Sequence, residues 1–199
     1  MTTRPLRIGS LFSGYGGLDL AVTAVTGAEV AWHCEWDEAP SAILDHNFPG
    51  IPNYRDVTKV DFSQVEQVDI LTGGFPCQDL SLAGKRAGLA EGTRSGLWSE
   101  YLRAIETIRP RLVVIENVRG LLSAKAHSNL EHCPWCMGEA ERTEPDLRAL
   151  GAVLGDLASV GYDSKWAGVR ASDAGAPHQR FRVFIIAYPR SVGNTDSDE

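Results

Sequence analysis

Apolar positions along this chain follow two rhythms. Segments 6–12, 30–34, 68–72, 112–115 and 181–188 are short apolar runs of strand length, and between them apolar residues recur at helical spacing. Leu18, Ala21, Val22 and Val25 predict a first helix closed by Gly27, and 38–46 a second that Pro49 and Gly50 terminate. Trp98, Tyr101, Leu102 and Ile105 predict a third, and Leu147, Leu150, Leu154 and Leu157 a fourth. A weaker strand is expected just before Asp56. Strand and helix in turn imply an α/β fold, a mostly parallel sheet with helices on both faces.

In such sheets ligands bind beyond the carboxyl ends of the strands, so the polar residues there carry most information. The first strand runs into Gly14-Tyr15-Gly16-Gly17, a turn whose missing side chains let the backbone approach a nucleotide closely. That spacing alone is equally a tight turn with no ligand. The second strand ends in Cys34-Glu35-Trp36-Asp37, which places an acid about twenty residues on, where it can accept both hydroxyls of a ribose. The 68–72 strand leads to Gly74-Phe75-Pro76-Cys77-Gln78, and the 112–115 strand to Glu116-Asn117-Val118. A lone cysteine after a strand is more often a small buried hydrophobe. Here Pro76 stiffens the loop and Gln78 and Ser81 add polar groups, which favours a nucleophile.

At 199 residues, 43% hydrophobic and 23% charged, the chain has the balance of one globular domain, expected over 1–189 with a frayed tail at 190–199. The stretch 123–145 lacks periodicity and reads as an irregular insertion. No apolar run reaches the roughly 20 residues of a membrane helix, and the polar start lacks a secretory signal, so a cytoplasmic protein is expected. The formal charge of −7 lacks the basic footprint of an independent DNA-binding domain. Of the four cysteines, Cys133 and Cys136 form a CxxC knuckle near His127 and His132, a candidate zinc set or two free thiols in a surface insertion.

Taken in order from Leu11 to Val183, these motifs resemble the cytosine-C5 DNA methyltransferase family. The resemblance implies a Rossmann-like fold that binds S-adenosylmethionine. Phe12, Ser13, Gly14, Gly16, Gly17 and Leu18 resemble its first motif, Glu35 with Trp36 its ribose-binding acid, and Asp56 with Val57 the acid that contacts the adenine amino group. Gly74, Pro76, Cys77 and Gln78 resemble its catalytic loop, in which Gly74 and Pro76 are expected to touch the cofactor, and Leu97 resembles a cofactor-side position. Glu116 resembles its second catalytic residue. Arg180 and Arg182 resemble its paired arginines, expected to alternate on one strand face toward a cytosine O2 or a phosphate. Pro177-His178-Gln179 departs from the family's usual Pro-Gln pairing. Residues 82–95, with Lys85, Arg86 and Arg94, resemble the loop that closes over a flipped base.

That chemistry suits these residue types. Cytosine C5 is a poor nucleophile until a thiolate, here Cys77, adds to C6; Glu116 would bind ring N3 and the exocyclic amine as charge develops. The base must first leave the duplex. The family's target-recognition part, which follows the arginine pair, is not found in this sequence; that leaves a split enzyme completed by a second polypeptide or a truncated product as the first expectations, with a minimal enzyme of relaxed specificity or a relic that only binds cofactor behind them. Two other functions stay open: a tRNA cytosine methyltransferase, and a non-catalytic cofactor-binding or regulatory subunit. A zinc-knuckle interaction module is the structural alternative.

Overall fold

The computed structural model describes residues 4–76, 96–122 and 149–191. Strand β1 (Arg7–Leu11) is buried along most of its length, and the chain turns sharply at Phe12, whose φ of 52° is left-handed. Gly14 and Gly16 are left-handed too, at 53° and 78°, a conformation that costs glycine nothing. Helix α1 (Gly17–Thr26) follows, closed by left-handed Gly27. Next come β2 (Glu29–Cys34), α2 (Glu38–Asn47), β3 (Ile70–Gly73), α3 (Gly96–Ile108), β4 (Leu112–Val118), α4 (Ala149–Ser159), β5 (Tyr162–Arg170) and β6 (Phe181–Pro189).

The six strands lie in the order β2-β1-β3-β4-β6-β5. The first four are parallel, while β6 runs antiparallel to both β4 and β5. After β1 the chain steps to β2 on one side, then crosses back to β3 on the other. That reversal creates a crevice at the carboxyl ends of β1 and β3. Antiparallel β6 matters equally, because its first residues arrive at the same end of the sheet as the last residues of β4 and β5.

The larger core packs α3 and α4 against one sheet face, through Tyr101, Ile105, Val153 and Leu157 on the helices and Leu71, Val113, Ile115 and Ile185 on the strands. A smaller cluster of Ile8, Val22, Val30 and Ile70 lies on the other face. Among the described residues that second face is covered over β1, β2, β3 and the first half of β4, where Leu112 and Val114 pack against the cluster. Val118, Ile186 and Tyr188, which share it by register, are exposed.

Three local readings are corrected. The stretch before Asp56 is not a strand: it makes one isolated bridge, His33 to Asn53, and then a short 3-10 turn in which the Asp56 carboxylate accepts from the Thr58 N–H. Strand β5 was not foreseen, because it is an edge strand exposed beyond its first residues and shows no apolar alternation. Helix α1 forms where its spacing predicts, yet its buried residues are Asp19 and Val22, and Val25 is 87% exposed. The inward face is therefore partly polar.

Candidate active site at the carboxyl end of the sheet

The ends of β1, β2 and β3 open on a cleft of about 520 Å³, lined by Phe12, Cys34, Glu35, Trp36, Asp37, Arg55, Asp56, Val57, Gly74, Pro76 and Leu97. Its size falls within the roughly 300–1,000 Å³ usual for small-molecule sites. Glu35 is buried and fixed from two sides. Its Oε2 accepts from the Gly14 N–H at 2.8 Å and its Oε1 from the Asp37 N–H at 2.9 Å. Each carboxylate oxygen keeps a second lone pair for a ligand hydroxyl. Trp36, 63% exposed, presents an indole at the cleft with its surface free for stacking.

Asp56 accepts from the Thr58 hydroxyl and N–H and pairs with Lys59 at 3.2 Å; these contacts, the hydroxyl foremost, hold its carboxyl below the usual range and keep it anionic. The thiol of Cys34 behaves in the opposite way. Burial above all, then the neighbouring acids Glu35 and Asp56, push it up to about 12, and its Sγ donates to the Arg55 carbonyl. It is an inert wall residue.

Beneath the cleft lies a buried polar row. His33, Ser10 and Thr72 stand side by side on β2, β1 and β3, and Asp19 reaches down to them from α1. Its carboxylate accepts from the Ser10 hydroxyl at 2.8 Å and the Thr72 hydroxyl at 2.5 Å. Ser10 in turn gives its carbonyl to the Ser13 hydroxyl, which also accepts from the Cys34 N–H. The glycine turn is thus braced from below. Burial pushes the Asp19 carboxyl up to about 6 and holds His33, whose ring nitrogens have no hydrogen-bond partner, down to about 4.

The cleft continues toward β4 at Gly74. A Cβ on this residue would stand 3.2 Å from Oε2 of Glu116, so the carboxylate of Glu116 lies against the cleft wall. Arg182 of β6 forms an ion pair with the other oxygen of Glu116. Asn117, fully inside, donates from Nδ2 to the Phe75 carbonyl at 3.0 Å and so ties the start of the 74–76 segment to β4.

Eight of the residues singled out from sequence for the cofactor come together as lining: Phe12, Glu35, Trp36, Asp56, Val57, Gly74, Pro76 and Leu97. Ser13, Gly14, Gly16, Gly17 and Leu18 form the adjoining turn and first helical turn without lining the cleft. Arg182 stands beside Glu116, whereas Arg180 precedes β6 instead of alternating within it, and β6 is an interior strand. Cys77, Gln78, Ser81, the loop cations Lys85, Arg86 and Arg94, and the zinc candidates His127, His132, Cys133 and Cys136 lie outside the described residues. Among the described residues, no group of three or more His, Cys, Asp or Glu gathers to hold a metal, and no helix is long and apolar enough to cross a membrane.

Sequence reasoning gave no role to Arg55 and Asn53, and none to Asp37 beyond its place in the Cys34-Glu35-Trp36-Asp37 stretch. The Asn53 side chain accepts from the N–H groups of Glu35 and Arg55 and so joins two walls of the cleft. Its signal was an Asn two residues before a turn, where its oxygen replaces a backbone acceptor.

A mostly parallel sheet with a switch-point crevice and a glycine turn after its first strand defines an α/β domain of the Rossmann-like methyltransferase type. The chain belongs to the C-5 cytosine-specific DNA methylase family, whose model matches residues 6–197. It is 32% identical over 186 residues to the type II methyltransferase M.NlaIV of Neisseria lactamica, covering 91% of this chain and 41% of the relative. To the type II methyltransferase M.HhaI of Haemophilus parahaemolyticus it is 30% identical, covering 92% and 49%. The fold is similar to that of the Dnmt2 methyltransferase of S. pombe, with a TM-score of 0.69 at 19% identity, over 96% of this chain and 51% of that one. The chain thus spans about half the length of these proteins, or less.

Proposed function

We propose that this chain is the cofactor-binding and catalytic part of an enzyme that transfers a methyl group from S-adenosylmethionine to C5 of cytosine in DNA. The observation that carries this reading is the single cleft on which Glu35, Trp36, Asp56 and Gly74 converge, with Glu116 against its wall. The residues fit the cofactor: Glu35 would take the ribose hydroxyls, Trp36 would stack on the adenine, and Asp56, held anionic, would accept from the adenine amino group. Family membership implies the same methyl donor.

When bound, S-adenosylmethionine supplies an electrophilic methyl group. Cys77, which follows cleft-lining Pro76 in sequence, would add as thiolate to C6 of an extruded cytosine, and the electron pair of the C5–C6 bond becomes available at C5. Glu116 would share a proton with ring N3, so that charge developing on the ring is neutralised. Arg182 holds that carboxyl group in place. After methyl transfer, loss of the C5 proton expels the thiolate and restores the ring. Gln78 and Ser81 belong to the same loop in this reading, and Arg180 faces the nucleic acid.

We assign residues 1–189 to this domain, residues 192–199 lying outside the described ones, and we infer that a further polypeptide or segment supplies target recognition. The test is trapping with 5-fluorocytosine DNA in the presence of S-adenosylmethionine, alongside methyl transfer to duplex DNA and to tRNA. A covalent adduct that Cys77→Ser abolishes, with cofactor affinity retained, is the expected result. Equal loss of both would make Cys77 a structural residue, and transfer to tRNA alone would replace the DNA reading.

A further inference from the structure

Four arginines converge at the carboxyl end of the sheet beyond Glu116, in a chain whose net charge is −7. Arg119 follows β4, Arg170 ends β5, and Arg180 and Arg182 flank the first residue of β6. They are scattered over more than sixty positions, and only the antiparallel placement of β6 brings them to one end. Phe181 organises two of them. The guanidinium carbons of Arg119 and Arg170 each lie 5.8 Å from its ring centroid. The Phe181 ring seats over Gly168, where any Cβ would stand 2.2 Å from a ring carbon. Arg119, Arg170 and Arg180 are exposed, and none forms an ion pair among the described residues. Among the described residues, the Asp173 carboxylate accepts from the backbone N–H of Arg170, and Glu116 pairs with Arg182.

An exposed guanidinium braced on an aromatic ring keeps its outer N–H fork free and loses little freedom on meeting an oxyanion. Two such forks beside a third exposed arginine suit a run of phosphodiester oxygens, which accept in the bidentate manner guanidinium offers. A flexible acidic peptide offers no such regular spacing.

We propose that Arg119 and Arg170, braced by Phe181, are positioning residues that grip the phosphate backbone of the DNA strand whose cytosine enters the site. The inference rests on the proposed DNA methyltransferase reading and adds two residues outside the motifs quoted from this sequence. The grip is independent of sequence: it sets the strand's register against Glu116 and leaves base choice to other parts.

The experiment measures binding of the full chain to a fluorescent DNA duplex by anisotropy from low to moderate salt, for wild type, Arg119→Gln, Arg170→Gln, the double variant and the two Lys variants. Each lost phosphate contact should flatten the log-affinity against log-salt slope by about 1, and the double variant by about 2, equally for unrelated duplexes. Lys should restore most of the slope as a point charge. An unchanged slope in a double variant whose circular dichroism matches wild type overturns the proposal. So does a wild-type chain that fails to bind duplex even at low salt, or a slope change seen with RNA alone. The methyl-transfer reading fails separately: a chain that shows the slope change yet forms no 5-fluorocytosine adduct keeps its phosphate grip and loses its proposed chemistry.

Discussion

At one end of one sheet, the segments following β1 and β2 gather Glu35, Asp37 and Asp56, while those around β4, β5 and β6 gather Arg119, Arg170, Arg180 and Arg182. The acidic region belongs to the parallel half of the sheet and the basic one to the antiparallel half, with Glu116 and Arg182 paired at the join. A methyl donor bearing a sulfonium and a polyanionic substrate have opposite electrostatic needs. Under the proposed function, placing the two sets of charges on opposite sides of β3 would serve both without mutual cancellation. The net charge of the chain therefore says little about either surface.

The sharpest way to break this division is at the join. Glu116→Gln keeps the shape but cannot share a carboxyl proton, so methyl transfer should fall on the order of 10²–10³-fold, with cofactor affinity changed less than about twofold. Single-turnover methyl incorporation and cofactor titration measure the two. A matching loss of cofactor affinity would mean that the regions act as one.

A second test probes the floor of the acidic region. The Asp19 carboxyl, raised by burial to about 6 from an ordinary 3.8, favours its neutral form in the fold, so its contribution to stability improves as pH falls through 6. His33, lowered by burial to about 4 from 6.5, favours its neutral ring, so its contribution is lost as pH falls from 6.5 toward 4. The two trends oppose one another. In Asp19→Asn only the histidine trend remains, and the urea midpoint should drop more steeply between pH 6.5 and 4 than in wild type. Parallel curves would show that the carboxylate does not titrate in this range.

Smaller effects are expected at the cleft rim. Trp36→Ala removes one stacking surface, and cofactor affinity should weaken by up to about tenfold with no change in the salt dependence of DNA binding. Smaller still, raising salt into the physiological range should move cofactor affinity by less than about twofold, because Glu35 is buried and held by backbone donors. Isothermal titration at two ionic strengths checks it.

The parallel half was readable from the chain because burial on both faces leaves continuous apolar runs, and because glycines and acids stand at fixed offsets after each run. Glu35 was legible for that reason, whereas Asp56 follows no strand and was placed only by the family resemblance. The antiparallel half was not readable. Strand β5 lacks a buried stripe, so its residues carry no period, and without it Arg170 had no reason to be placed near Arg119. Asp19 escaped notice because a carboxylate in the first turn of a helix is ordinarily a solvated, dipole-favoured residue. Here it turns inward to Ser10 and Thr72.

The insertion of β6 between β4 and β5 orders events during synthesis. Every strand bordering the cleft has left the ribosome well before the strand that closes the sheet. The strands around the cleft all precede β5 in sequence, and β5 makes its ladder with β6, the strand that comes after it. A chain cut before β6 would keep every residue that lines the cleft and lose the Phe181 ring on which Arg119 and Arg170 rest.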